Sequence, residues 1–369
     1  MRLSLLRPAS GEEDTAGLRR CKSCVLPSSY DAVSFGVDGV CSLCREHVAT
    51  TSEERRNRDS RRARLADLVA EARAAGDQYD CIVPISGGRD SAYVAYLLRQ
   101  KLGLRVLGVN FDNGYRSPQA LANLDYITRK LGMDLVTLRP DPGLTRAVFA
   151  HFLKTCGYFC VACDALGYIV VGSFVAREAR RTGHPPLVVG GWSRKYEYQQ
   201  GLSVLSMKFF GDALRRDEGL YARLQESPLV EPAVSERFTE VDDIRQVSGV
   251  SGLGARLIQL PDYVDWDYAR IEAVLEEKLA WHVSEDGRTA HFDCRLAPIG
   301  EHLKCRRFGF SQEDIRNSVL IREGRMSRAE ALRRVQQAQH TEPAVFKDVL
   351  AEWDMSADEI AWDAEWPRW

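Results

Sequence analysis

The chain has 369 residues, with 50 Lys+Arg against 52 Asp+Glu, and 45% hydrophobic and 28% charged residues. This is globular composition, enough for about two domains and a small module, and it excludes a disordered, collagenous or coiled-coil chain. A formal net charge of −2 argues against reliance on a broad nucleic-acid footprint.

Residues 1–20 read as a flexible lead, 21–46 as a cysteine-rich module and 50–76 as a linker helix. In that helix Leu65, Leu68, Val69 and Ala72 fall at helical spacing and Gly76 stops it. From residue 80 the pattern alternates. CIVPIS predicts a strand and DSAYVAYLLRQKLG a helix; RVLGVNFDNG is a second strand. Ser117 and Pro118 open a helix through Gly132, DLVTLR is a third strand, 163–183 is a long helix, and PLVVGG is a fourth strand. This order predicts an α/β fold, a parallel doubly wound sheet over 78–200. Such sheets bind ligands at the carboxyl ends of their strands.

Residues 201–369 read as a mostly helical C-terminal region. A helix is expected over 211–226, partial helix over 262–282, and loop or strand over 283–300. Ser327 with Glu330, and Ser356 with Glu359, have capping-box spacing. The tail carries five aromatics, Phe346, Trp353, Trp362, Trp366 and Trp369, and reads as a packing or dimer arm. No run of about 18 apolar residues suggests a membrane span. The start MRLSLLRPASGEEDTAG lacks a signal-peptide pattern, so a cytoplasmic location is expected.

Ser86-Gly87-Gly88-Arg89-Asp90-Ser91 follows the first strand and opens the next helix. Gly87 and Gly88 permit a tight turn and close backbone approach to an anion. Free N–H groups at the helix start, with the Ser86 and Ser91 hydroxyls, suit phosphate oxygens. Asp90 beside a phosphate would hold Mg2+. The string is neither GK[ST] nor GxGxxG. A plain glycine turn is the alternative, and the full string in this context favours phosphate.

Cys21-x2-Cys24 and Cys41-x2-Cys44 have the spacing of a closed four-cysteine zinc knuckle, structural rather than catalytic. Cys81 reads as core. Cys160-x2-Cys163 with a distant Cys305 supplies the ligand count of an iron–sulfur cluster with one iron open. A second zinc, a redox pair and buried thiols are the alternatives. The Arg-rich stretch at 55–64 is interleaved with acids and reads as a solvated face rather than an RNA surface.

Ser86–Ser91 matches the SGGxDS signature, and the chain resembles the PP-loop (N-type) ATP pyrophosphatase superfamily. That resemblance implies the adenine nucleotide α-hydrolase-like fold, with 78–200 as the ATP-binding domain, and cleavage of ATP between its α- and β-phosphates. It places ATP and pyrophosphate on Ser86, Gly87, Gly88, Arg89, Asp90 and Ser91, with Asp112 and Gly190 at the nucleotide edge. Arg89 stands where the family most often has Lys. For Asp112 alone, a strand-ending Asx turn is the other reading.

Within the superfamily the feature order resembles the N-acetyl sugar amidotransferases of surface-polysaccharide synthesis. Cys21-x2-Cys24, Gly39-Val40-Cys41-x2-Cys44, Cys160-x2-Cys163, Arg307-Phe308-Gly309-Phe310 and Asp314-Ile315-Arg316 carry it. It implies adenylation of an acetamido oxygen on a sugar-like substrate and displacement of AMP by ammonia. A partner glutaminase would deliver that ammonia. Expected cofactors are ATP, Mg2+ and Zn2+, with [4Fe-4S] on the alternative branch. After the fourth strand the group usually has a Gly-Glu-Asn-type segment, where this chain has Gly191-Trp192-Ser193-Arg194-Lys195. Lys195 and Arg194 are candidates for a phosphate or a nucleotide-sugar diphosphate, with Lys195 the candidate catalytic cation and a solvated basic loop the alternative. A PP-loop sulfurtransferase acting on tRNA or a small metabolite, and a non-catalytic nucleotide-binding module, are the competing functions.

Overall fold

A computed structural model describes residues 19–30, 33–47, 57–75, 77–192, 207–240, 254–283, 293–338 and 342–364. Helix α1 (Arg58–Ala74) precedes the first strand. The sheet then forms from β1 (Cys81–Pro84), β2 (Val106–Phe111), β3 (Asp134–Leu138), β4 (Leu187–Gly190) and β5 (Arg256–Gln259), in the order β3-β2-β1-β4-β5. All four pairings are parallel, as the alternating pattern requires.

The crossovers are α2 (Arg89–Tyr96, continued by a π turn over Leu97–Lys101), α3 (Pro118–Leu131), α4 (Pro142–Cys156) and α5 (Cys160–Thr182). Helices α6 (Met207–Arg215), α7 (Glu218–Gln225) and α8 (Pro232–Phe238) lie between β4 and β5. Downstream of β5 come α9 (Tyr268–Leu279), α10 (Ala297–Phe308), α11 (Gln312–Arg322), α12 (Arg328–Ala338) and α13 (Phe346–Glu352).

Strand residues alternate between two cores, as period-2 geometry dictates. Ile82, Leu107, Val109 and Val188 pack with α4, α5 and the C-terminal helices. Cys81, Val83, Val106, Leu187 and Val189 face α1, α2, α3 and α9. Cys81 is core, and burial pushes its thiol up to about 12.

Several expectations change. The 211–226 helix is two helices, because Asp217 caps a new start by accepting from the Leu220 N–H at 2.9 Å. Helix α4 was missed although Asp141 caps it and Pro142 opens it. Strand β5 was missed because it is a half-buried edge strand with no apolar run. Residues 297–300 begin α10 rather than continuing a loop. Ser356 makes its capping box but leads only a 3-10 turn over Ala357–Glu359. The described tail folds back on its own chain: the Ala361 N–H donates to the Leu153 carbonyl, and Trp353 packs on Phe149 and Phe159. By length and composition α5 could cross a membrane, contrary to the sequence expectation, yet 56% of its apolar window is buried inside the protein.

Candidate functional site

The strand-to-helix bend Ser86–Ser91 sits at the carboxyl end of central β1. Gly87 has φ +82°, and a Cβ there would meet the Ala120 carbonyl at 2.1 Å, so only glycine fits. Its own carbonyl is held from below by Trp281 Nε1 at 3.0 Å and Asn123 Nδ2 at 3.4 Å. Ser86 Oγ accepts from the Gly88 N–H at 3.2 Å, and Ser91 Oγ accepts from the Ser86 N–H at 3.2 Å. Gly88 is the extended N-cap of α2. The bend is therefore fixed in advance, with helix-start amides and two hydroxyls at one mouth, an arrangement suited to phosphate.

Arg89 turns away along α9. It is only 8% exposed, stacks 3.5 Å above the Tyr268 ring and donates to Glu272 Oε1 at 2.8 Å. Burial opposes its charge, but Asp90, Tyr268 and Glu272 outweigh burial and hold its pKa above the ordinary value. Asp90 Oδ1 accepts from Trp266 Nε1 at 3.2 Å. Arg316 of α11 joins this group, 5.5 Å from the Tyr268 centroid and 4.0 Å from Glu272 Oε1; burial and then the Arg89 charge depress its pKa.

Asp112 makes the Asx turn: Oδ1 accepts from the Gly114 N–H at 2.9 Å, with Arg139 3.7 Å from Oδ2. Gly190 ends β4 beside the Gln259 side chain, and the following Gly191 packs on the Asp90 backbone, where a Cβ would stand 3.0 Å from its carbonyl oxygen. Lys195 and Arg194 lie outside the described residues.

The clustered cysteines fall into two differently built groups. Cys21, Cys24, Cys41 and Cys44 have Sγ atoms all within 4.8 Å of one another, with contacts of 3.9 and 3.8 Å. Metal–sulfur bonds of about 2.3 Å around one tetrahedral ion give that spacing, so the four residues fit a metal. The module docks on α11 and α12. Arg20 and Asp314 form a buried ion pair, Arg328 donates to the Cys21 and Cys24 carbonyls, and Tyr30 meets Phe310 edge-on at 5.1 Å. Asp314 of the Asp-Ile-Arg motif thus holds the module.

The second group differs from the sequence expectation. Cys160 and Cys163 stand at the start of α5, and Asn113 Nδ2 donates to Cys163 Sγ at 3.2 Å. Cys294 lies near enough to raise both thiols, yet among the described residues only Cys21, Cys24, Cys41 and Cys44 bring three or more ligand atoms within 4.8 Å of one another. Burial first, then charges on Asp164 and Cys294, push the Cys160 and Cys163 thiols well up. Cys305 instead lies beside Glu301, Asp314 and Ser311, and burial pushes it up to about 12. The reason is helical. Gly300 abuts Cys160, where a Cβ would stand 2.6 Å from Sγ, and Cys305 is five residues further along α10, about 140° around the axis.

Sequence reasoning also missed Asp293, Arg116, Trp266 and Glu272. None sits in a motif; Trp266, Glu272 and Asp293 reach the loop from distant segments, and Arg116 bonds Asp293.

Residues 286–363 match the family model "LPS biosynthesis protein WbpG-like, C-terminal domain". The chain is 32% identical over 166 residues to the tRNA-specific 2-thiouridylase MnmA of Aeromonas salmonicida, covering 37% of this chain and 44% of that protein. These matches agree with the resemblance of Ser86–Ser91 to the PP-loop ATP pyrophosphatase superfamily. The chain is also 23% identical over 219 residues to the uncharacterized protein MJ1599 of Methanocaldococcus jannaschii, covering 58% of this chain and 74% of that one. Among solved structures it resembles the U34-tRNA thiolase NcsA from Methanococcus maripaludis with its [4Fe-4S] cluster, at TM-score 0.36 and 12% identity, covering 89% of this chain and 91% of the other.

Proposed function

We propose that this PP-loop enzyme is an ATP-dependent amidotransferase acting on an acetamido group of a sugar-like substrate. Mg-ATP lies with its phosphates on Ser86–Ser91 and Asp90 on the metal side. The amide oxygen attacks the α-phosphate and pyrophosphate leaves. Ammonia then adds to the activated carbon and loses a proton, and AMP departs with the original amide oxygen, leaving an amidine. The protein's part is alignment and charge stabilisation. Free ammonia is mostly protonated near neutral pH, so a glutaminase partner delivers it. The observation that carries this reading is the WbpG-like segment, which supplies both Asp293 beside the phosphate bend and Asp314 under the four-cysteine module. Zinc is the ion proposed for that module.

The test uses acetamido sugars and their nucleotide conjugates labelled with 18O in the amide, plus Mg-ATP and ammonium. Pyrophosphate release with 18O recovered in AMP is expected, and Asp90→Ala should cut the rate by on the order of 10²–10³. Label retained in the sugar, or no pyrophosphate with any acceptor, overturns the proposal.

The grouping of Cys160, Cys163 and Cys294 favours a second reading, a PP-loop sulfurtransferase. Three thiolates leave one iron of a cluster open to a sulfur ligand. Anaerobically purified protein absorbing near ~400 nm would support it; a colourless protein holding zinc alone supports the amidotransferase.

A further inference from the structure

Asp293 enters the site from a segment that no motif marks. The Ser117 N–H donates to its carbonyl at 3.1 Å, the Arg295 N–H donates to the Tyr115 carbonyl at 2.8 Å, and Arg116 and Cys294 form an antiparallel bridge. This short pairing lays 293–295 across the carboxyl end of β2. The Asp293 side chain faces the phosphate bend. An atom placed at the missing Cβ of Gly88 would stand 3.1 Å from Ser86 Oγ and 3.3 Å from Asp293 Oδ2. The gap that glycine leaves is therefore bordered by one loop hydroxyl and one carboxylate.

Arg116 holds that carboxylate. Its Nη1 donates to Asp293 Oδ2 at 3.1 Å and its Nη2 to the Phe111 carbonyl at 2.7 Å, with the two side chains only 13% and 18% exposed. The guanidinium is tied to the strand end and takes Oδ2, the oxygen that also borders the Gly88 gap, and a carboxylate oxygen has a further lone pair to offer a cation. A carboxylate bordering a triphosphate site repels its ligand unless a cation stands between them. Mg2+ takes oxygen ligands from one or two carboxylates plus substrate phosphates. We propose that Asp293 is a second carboxylate, besides Asp90, for the cation carried with the triphosphate, and that Arg116 is its positioning residue. This rests on the reading of Ser86–Ser91 as an ATP site.

The test is ATP binding by calorimetry with Mg2+ and with EDTA, on the full chain, alongside the electron paramagnetic resonance of Mn2+-ATP. Asp293→Asn should weaken Mg-ATP binding on the order of tenfold and change the Mn2+ spectrum. In EDTA it should bind ATP as well as the wild type or better, because the repulsion is gone. Asp293→Glu, keeping the charge, should restore part of the Mg2+ dependence. Equal weakening with and without Mg2+ marks a structural role and overturns the proposal, as does an unchanged Mn2+ spectrum. A wild-type chain that binds no ATP defeats the underlying site assignment instead, and Asp90→Ala alone losing Mg-ATP binding defeats only Asp293.

Discussion

The two cysteine groups are built from the same side chain and are assembled in opposite ways. Cys21, Cys24, Cys41 and Cys44 come from one short stretch, close around a common centre and are sealed by Tyr30, Phe310 and the Arg20–Asp314 pair. Cys160 and Cys163 come from one helix start and Cys294 from a distant stretch; Asn113 donates to Cys163, and Cys294 follows Asp293, which borders Gly88. Local cysteines saturate an ion and convert its binding into folding energy. Cysteines gathered only by tertiary packing form no such closed tetrahedron: among the described residues the first group alone brings three or more ligand atoms within 4.8 Å of one another.

The sharpest way to break this contrast is at the module's dock. Arg20→Ala leaves Asp314, on which burial already works to raise the pKa, uncompensated at 0% exposure. Stability should fall by about 3–5 kcal/mol, read as a lower denaturant midpoint, while pyrophosphate chemistry in the folded fraction persists. Arg20→Ala melting like the wild type would mean that the module merely rests on α11.

The second change separates the cysteines themselves. On the sulfurtransferase reading, Cys294→Ser should lower cluster content at the second group on the order of 10–100-fold, by elemental analysis of anaerobic protein, and Cys305→Ser should leave it intact; on the amidotransferase reading neither change alters metal content. The reverse result would restore Cys305 as the third ligand.

The smallest effect belongs to a control far from both groups. Asp80, before β1, accepts from the Arg105 backbone N–H at 2.6 Å and from its guanidinium. Burial opposes its charge, yet these bonds win and hold its pKa below the ordinary carboxylate value. Its contribution, about 1–2 kcal/mol, is present above the unfolded pKa of about 3.9 and is lost as pH falls through the lower folded value. Asp80→Asn should therefore flatten the acid limb of the stability curve and leave metal content unchanged. Loss of metal there would mean that the two halves of the molecule are not independent.

How far the sequence carried differs between these regions for a physical reason. The phosphate bend was legible because an apolar strand, two glycines and a helix start are contiguous, and Gly87 must be glycine for its left-handed backbone. Ser117 and Pro118 were equally legible, and Ser117 Oγ accepts from the Ala120 N–H at 3.0 Å. Arg89 was legible as a cation but not as one that would turn to Tyr268 and Glu272, 179 and 183 residues on, since α9 carries no motif.

The sequence by itself determined the parallel α/β order, the bend at Ser86–Ser91 and the four-cysteine knuckle, because side-chain period, caps and short-range spacing act within a few residues. Only the tertiary structure decided that β5 completes the sheet, that Cys294 replaces Cys305 beside Cys160, and that Asp293 borders Gly88. Those pairings depend on which helix face and which strand edge meet across the sheet, and such meetings are fixed by packing of the whole chain rather than by any local spacing.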